Sequence, residues 1–139
     1  MALQELRIVA PLATIHSLYY IAGLLGWRHG YSFRLTPRGP FSRRLEEDLA
    51  AGRAPRPPRS VARRLRLLVS RLCSGSGDYC GQRIVVAALL AAYSRLYPPP
   101  RSPVDYYLQT HPGVDPSVVR RVASILASLG IIQEAGKES

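Results

Sequence analysis

The chemistry this chain could do is concentrated in its arginines. Between Gly52 and Arg71 stand seven of them, Arg53, Arg56, Arg59, Arg63, Arg64, Arg66 and Arg71, with no acid in between. A guanidinium is always charged and offers a planar fork of donors that fits a phosphate two bonds at a time. A face that merely stays in water usually mixes glutamate with its arginine. An unbalanced one repels itself unless an anion neutralises it, and a nucleic-acid backbone is such an anion. A membrane surface would ask for more bulky apolar residues beside the cations than this stretch carries. A second set lies further on: Ser117, Arg120, Arg121 and Ser124. There, arginines for phosphate or guanine stand beside hydroxyl side chains small enough to enter a groove. Tyr106 and Tyr107 are candidates to stack on bases, with one of the two expected in the core.

Other chemistries find little support. Paired carboxylates can move protons, but Glu46, Glu47 and Asp48 are adjacent acids on a short helix among arginines. They read as a solvated, ion-paired face rather than a catalytic pair. His16, His29 and His111 are scattered among apolar or turn segments. No metal-spaced partner accompanies His16, which reads as a core or boundary residue. Cys73 and Cys80 are too few for a four-ligand zinc site. They flank a Ser-Gly-rich joint and read either as a local disulfide, known inside hyperthermophile cells, or as two free thiols. No nucleotide loop, zinc signature or nucleophile elbow is present. The expectation is a protein that is not an enzyme, with no cofactor and no metal.

The elements that must hold these arginines follow from the apolar pattern. Ile84–Tyr97 is apolar all round over its first ten residues, too short for a bilayer, and so is expected to be the core helix. Ala2–Gly26 reads as an apolar helix broken at Pro11, with Pro11 in the first turn of the second piece. Tyr31–Thr36 alternates and reads as a short strand with Tyr31, Phe33 and Leu35 inward. Ser42 should cap a helix over Arg43–Ala51, with Leu45 and Leu49 facing in. Gly52–Arg59 reads as an extended Pro-Arg linker. Ser60 should cap Val61–Leu72, which sets Val61, Leu65, Leu68 and Leu72 on one stripe and arginines on the other, with Leu67 exposed among them. Pro98–Pro100 should stop the core helix. Ser102-Pro103 and Asp115-Pro116 each start a further helix. The last helix carries Val118, Val119, Val122, Ile125, Leu126 and Leu129 inward, and Ile131–Gln133 is a candidate strand beside Tyr31–Thr36. Two short helices joined by a tight turn after a core helix predict a helix-turn-helix.

One motif carries a resemblance. Gly39-Pro40-Phe41-Ser42, followed by Leu45, Asp48 and Leu49, resembles the signature of the YwgA-like family of small prokaryotic proteins, distantly akin to SocA-like "Panacea" antitoxin domains. The likeness extends back through the apolar first helix and loosely forward to Leu129-Gly130-Ile131-Ile132. It implies a compact helical domain of winged-helix character without known catalytic residues, whose members with roles tend to be adaptors or antitoxins. This chain departs from the pattern in being very basic.

The chain has 139 residues and carries 19 Lys plus Arg against nine Asp plus Glu, a net charge of +10. The length fits one domain. The expected fold is mostly α: a compact single-domain helical bundle over residues 1–133, with at most a small two-stranded β element and the 52–59 linker inside it. Residues 134–139 are expected to form a flexible tail. Arginine in place of lysine, 12 prolines and no asparagine suit a heat-adapted organism. Met1–Ala10 mixes charges and lacks the apolar centre of a secretory leader, so a cytoplasmic protein is expected. The functional expectation is nucleic-acid binding, DNA ahead of RNA, with no membrane. The alternative is a protein-interaction adaptor or antitoxin-like subunit docking an acidic partner or a larger nucleoprotein assembly.

Overall fold

The computed structural model describes residues 12–75 and 79–133. The first piece of the N-terminal helix, the break at Pro11, the middle of the Ser-Gly joint and the C-terminal tail lie outside the described residues. Among the described residues six helices and one two-stranded antiparallel sheet form a fold that is mostly α. In chain order they are α1 (Leu12–Leu24), β1 (Arg34–Thr36), β2 (Gly39–Phe41), α2 (Arg43–Ala50), α3 (Arg59–Cys73), α4 (Cys80–Tyr93), α5 (Pro103–Thr110) and α6 (Pro116–Ser128).

The all-round apolar helix is the centre, as its composition demands. In α4, Ile84 and every residue from Val86 to Tyr93 is buried. Helices α1, α3, α5 and α6 and strand β2 all pack on it. Alanines at 87, 88, 91 and 92 keep its girth small, so several neighbours approach at once. The helix ends at Tyr93, five residues before Pro98. Proline disfavours the α conformation in the residue before it. Here the end is also taken over locally: the Ser94 hydroxyl and the Arg95 guanidinium both donate to the Ala91 carbonyl, at 2.7 and 2.9 Å.

Caps legible in the sequence form as expected. The Ser42 hydroxyl accepts from the Leu45 amide, the Ser102 hydroxyl from the Asp105 amide, and the Asp115 carboxylate from the Ser117 amide. Ser60 does not cap. Helix α3 starts two residues earlier, with Pro58 at the N-cap position and no side-chain cap bond, because the Pro58 carbonyl already accepts from the Ala62 amide at 2.8 Å.

The sheet corrects the expected pairing. Strand β1 pairs with β2, not with Ile131–Gln133, in the register Arg34 to Phe41, Leu35 to Pro40 and Thr36 to Gly39. Both backbone groups of Ile131 are committed elsewhere. Its amide donates to the Leu126 carbonyl at 2.9 Å, beside the Gly130 amide on Ala127, closing α6 with a left-handed glycine. Its carbonyl accepts from Arg95 at 2.9 Å. Leu35 is also not inward; it is 36% exposed. Strand β2 is the inner one, with Gly39 and Pro40 buried, and β1 is left on the outside.

The linker is less free than its composition suggests. Ala54 is buried, the Tyr19 hydroxyl donates to the Pro55 carbonyl at 2.8 Å, and Arg53 reaches Asp48 at 3.6 Å. At the far end of α3 the structure bridges Cys73 and Cys80, with their α-carbons 4.6 Å apart. Among the described residues no helix is long and apolar enough to cross a membrane.

Candidate functional site

The histidines are structural ties rather than reactive groups. His16 is buried; its Nδ1 accepts from the Ser42 amide at 3.1 Å, which leaves Nε2 to donate to Glu46 at 3.1 Å. Its ring stacks on Phe41. His29 repeats the arrangement: Nδ1 accepts from the Tyr31 amide and Nε2 donates to the Tyr19 carbonyl. In each case the bond at one nitrogen selects the tautomer at the other. Among the described residues no three His, Cys, Asp or Glu side chains gather as a metal site. The acidic cluster is spent as well. Glu46 holds His16, Glu47 pairs with Arg43, and Asp48 accepts from the Tyr31 hydroxyl at 2.6 Å while pairing with Arg53. Burial pushes the Tyr19 phenol up to about 12. Burial, then the bond to Asp48, pushes the Tyr31 phenol up too. Neither is poised to release a proton near neutral pH.

The arginine face is built by the opposite stripe of α3. Val61, Leu65, Leu68 and Leu72 are buried against the core. Arg59, Arg63, Arg64, Arg66 and Arg71 are exposed on the other arc, and Arg56 is exposed just before it. Leu67 stands among them, 47% exposed. Among the described residues arginine pairs with carboxylate only at Arg43 and Arg53. Arg53 is therefore a brace between α2 and the linker, not a free cation. Arg64 donates one bond to the Leu25 carbonyl at 3.3 Å and stays exposed. Arg56, Arg59, Arg63 and Arg66 have no acidic partner among the described residues.

The second set is on α6. Val119, Val122 and Leu126 are buried, with Val118, Ile125 and Leu129 half-buried. Arg120, Arg121 and Ser124 are exposed. The Ser117 hydroxyl is already engaged, donating to Asp115 at 2.8 Å within the cap. Its amide and then its hydroxyl hold the Asp115 carboxyl below the usual carboxylate range. Ser117, Arg121, Ser124 and Ser128 fall on one stripe by their spacing of four, three and four residues. The structure joins the two sets at one end: Arg71 donates to the Ser128 hydroxyl at 3.4 Å, where α3 and α6 touch. Of the two tyrosines, Tyr107 is buried and Tyr106 is half-buried edge-on against Tyr93, so neither is a free stacking platform.

Sequence reasoning missed the hairpin. Its turn sits against the connection between α5 and α6, where His111 Nε2 donates to the Pro37 carbonyl at 3.0 Å. The partners are 74 residues apart, and no local pattern announces such a contact. Arg38 in that turn borders a cleft of about 630 Å³ together with Val85, Tyr107, Asp115 and Val118. No family model, curated protein or solved structure matches this chain, so the likeness drawn from Gly39-Pro40-Phe41-Ser42 rests on those residues alone.

Proposed function

We propose that this chain is a non-enzymatic nucleic-acid-binding protein of helix-turn-helix, winged-helix-like character. It takes duplex DNA, with α3 on the backbone and α6 toward a groove. One observation carries the reading: the exposed arc of α3 holds arginines without carboxylates, while the opposite stripe fixes the helix to the core. Cations on a rigid support lose little on meeting phosphates and release counterions when they do. Leu67, exposed inside that arc, favours the second reading, an adaptor whose basic helix docks an acidic protein.

The two are separated by fluorescence anisotropy on short DNA and RNA duplexes over a range of salt. Replacing Arg63, Arg64 and Arg66 with Gln removes three charges from one face and leaves the buried stripe alone. Exposed charge changes usually cost the fold little. Binding should weaken for every sequence alike, and the slope of log affinity against log salt should fall by about 2.7, at roughly 0.9 per phosphate on duplex DNA. Arg120→Gln with Arg121→Gln should instead lose preference between sequences more than overall affinity. Unchanged affinity in the triple variant would overturn the α3 reading and put the adaptor first.

A further inference from the structure

We propose that the β1–β2 hairpin is a second backbone clamp, in which Arg34 and Arg38 grip duplex DNA beside the α5–α6 pair. The inference rests on the nucleic-acid reading above. Four observations carry it. The hairpin is rigidly mounted: Gly39 and Pro40 of β2 are buried, and His111 ties the Pro37 carbonyl to the turn between α5 and α6. His111 is itself fixed, its ring stacked on the buried Tyr107 with centroids 4.1 Å apart. Both arginines are exposed, and neither side chain has an acidic partner among the described residues. Leu35, next to Arg34 on the same outer strand, is exposed as well, so β1 offers cations and an apolar contact together.

The fourth observation is position. Arg38 borders the same cleft as Asp115 and Val118, at the first turn of α6. The exposed Arg120 and Arg121 follow directly on that helix. Among the described residues Arg38 and Asp115 form no ion pair, and Asp115 Oδ1 accepts the amide and the hydroxyl of Ser117. The C-terminal end of α6 meets Arg71 of α3. Helix α6 is thus flanked by an arginine-bearing element at each end, the hairpin at its start and α3 at its finish. A duplex with its groove toward α6 presents phosphates on both sides of that groove, and a clamp on each would fix its register.

The test compares three proteins on one random-sequence DNA duplex and its RNA counterpart: the parent, the Arg63/Arg64/Arg66→Gln variant, and Arg34→Gln with Arg38→Gln. Far-UV circular dichroism checks that each is folded. The hairpin variant should lose about 1.8 from the salt slope, so that its deficit against the parent changes about sixty-fold for each tenfold change in salt. A hairpin variant that matches the parent, while the α3 variant is weakened, overturns the clamp and leaves the nucleic-acid reading standing. A parent that binds neither duplex overturns both. Binding to the RNA duplex alone overturns the assignment to DNA.

Discussion

Gly39→Ala tests the joint on which the hairpin stands. The backbone there has φ of +127°, a region that side-chain-bearing residues rarely enter. Holding alanine in it costs on the order of 1–3 kcal/mol. The added methyl also has little room. Its carbon would lie 3.2 Å from a Val85 methyl on the core helix and 3.4 Å from the Ser17 hydroxyl. The Val85 methyl must give a few tenths of an ångström while the Ser17 hydroxyl is at ordinary contact, and overpacking of this kind typically costs about 1–3 kcal/mol. The sum is about 2–6 kcal/mol, a large part of the 5–15 kcal/mol that holds a domain together. At about 4 °C per kcal/mol for a domain of this size, the melting temperature should fall by about 8–24 °C.

Urea unfolding followed by circular dichroism measures the loss directly. Val85→Ala in the same chain should return the contact part, about 1 kcal/mol as non-additivity in the cycle, and leave the backbone part. A Gly39→Ala protein within about 0.5 kcal/mol of the parent would refute both the conformational and the steric argument. Binding should change only as far as the hairpin moves. A folded variant that has lost all affinity would mean that Gly39 itself, and not only Arg38 beside it, lies against the ligand.

Other perturbations reach other elements. The Cys73–Cys80 bridge closes a short loop between α3 and α4, so Cys73→Ser with Cys80→Ser should cost about 2 kcal/mol by the chain-entropy argument. Two titratable thiols in the unfolded, unreduced protein would refute the bridge. The Asp115 cap should make the start of α6 acid-sensitive. Its folded carboxyl is depressed, so its contribution is complete above the ordinary carboxylate range and fades as pH falls through its own lower value. Asp115→Asn keeps an acceptor without a titration and should flatten that acid limb in a pH series of thermal melts; an unchanged limb would assign it to other carboxylates.

What was legible in the sequence was local. The core role of α4 follows from apolar residues on every face of a helix too short for a bilayer. Caps at Ser42, Ser102 and Asp115 close over two or three residues, and the α3 stripe needs only a period. What failed required knowledge of a distant partner. Leu35 alternates correctly with Phe33, yet it lies on the outer strand of a two-stranded sheet and stays exposed. Ile131 and Ile132 look like strand, but the Leu126 carbonyl and the Arg95 guanidinium claim the backbone of Ile131 first. Arg53 reads like its six companions until Asp48 is found beside it. The ties of His16, His29 and His111 span up to 74 residues, and with them goes the placement of Arg38. Charge could be counted from the chain; which charges were already spent could not.

That difference leads to a last prediction, in which salt acts on this protein in two opposite directions. The free protein carries a charge of +10, and the exposed arc of α3 sets Arg59 against Arg63 and Arg63 against Arg66 at helical-neighbour spacing. Like charges so placed cost about 0.2–0.5 kcal/mol per pair, so these two pairs cost roughly 0.4–1 kcal/mol. The screening length falls from about 10 Å at 0.1 M salt to about 3 Å at 1 M, shorter than the separation of such neighbours. Raising sodium chloride through that range should therefore lift the melting temperature of the free protein by about 2–4 °C. The same salt should strip it from DNA, since bound phosphates already supply the neutralisation that the salt would bring. The Arg63/Arg64/Arg66→Gln variant should lose most of the stabilisation by salt, because it removes a partner from each of these like-charge pairs, and about 2.7 of the DNA salt slope. A variant whose melting temperature still climbs with salt like the parent's would locate the repulsion elsewhere. A parent indifferent to salt would mean that the arginines of α3 carry no strain for an anion to relieve.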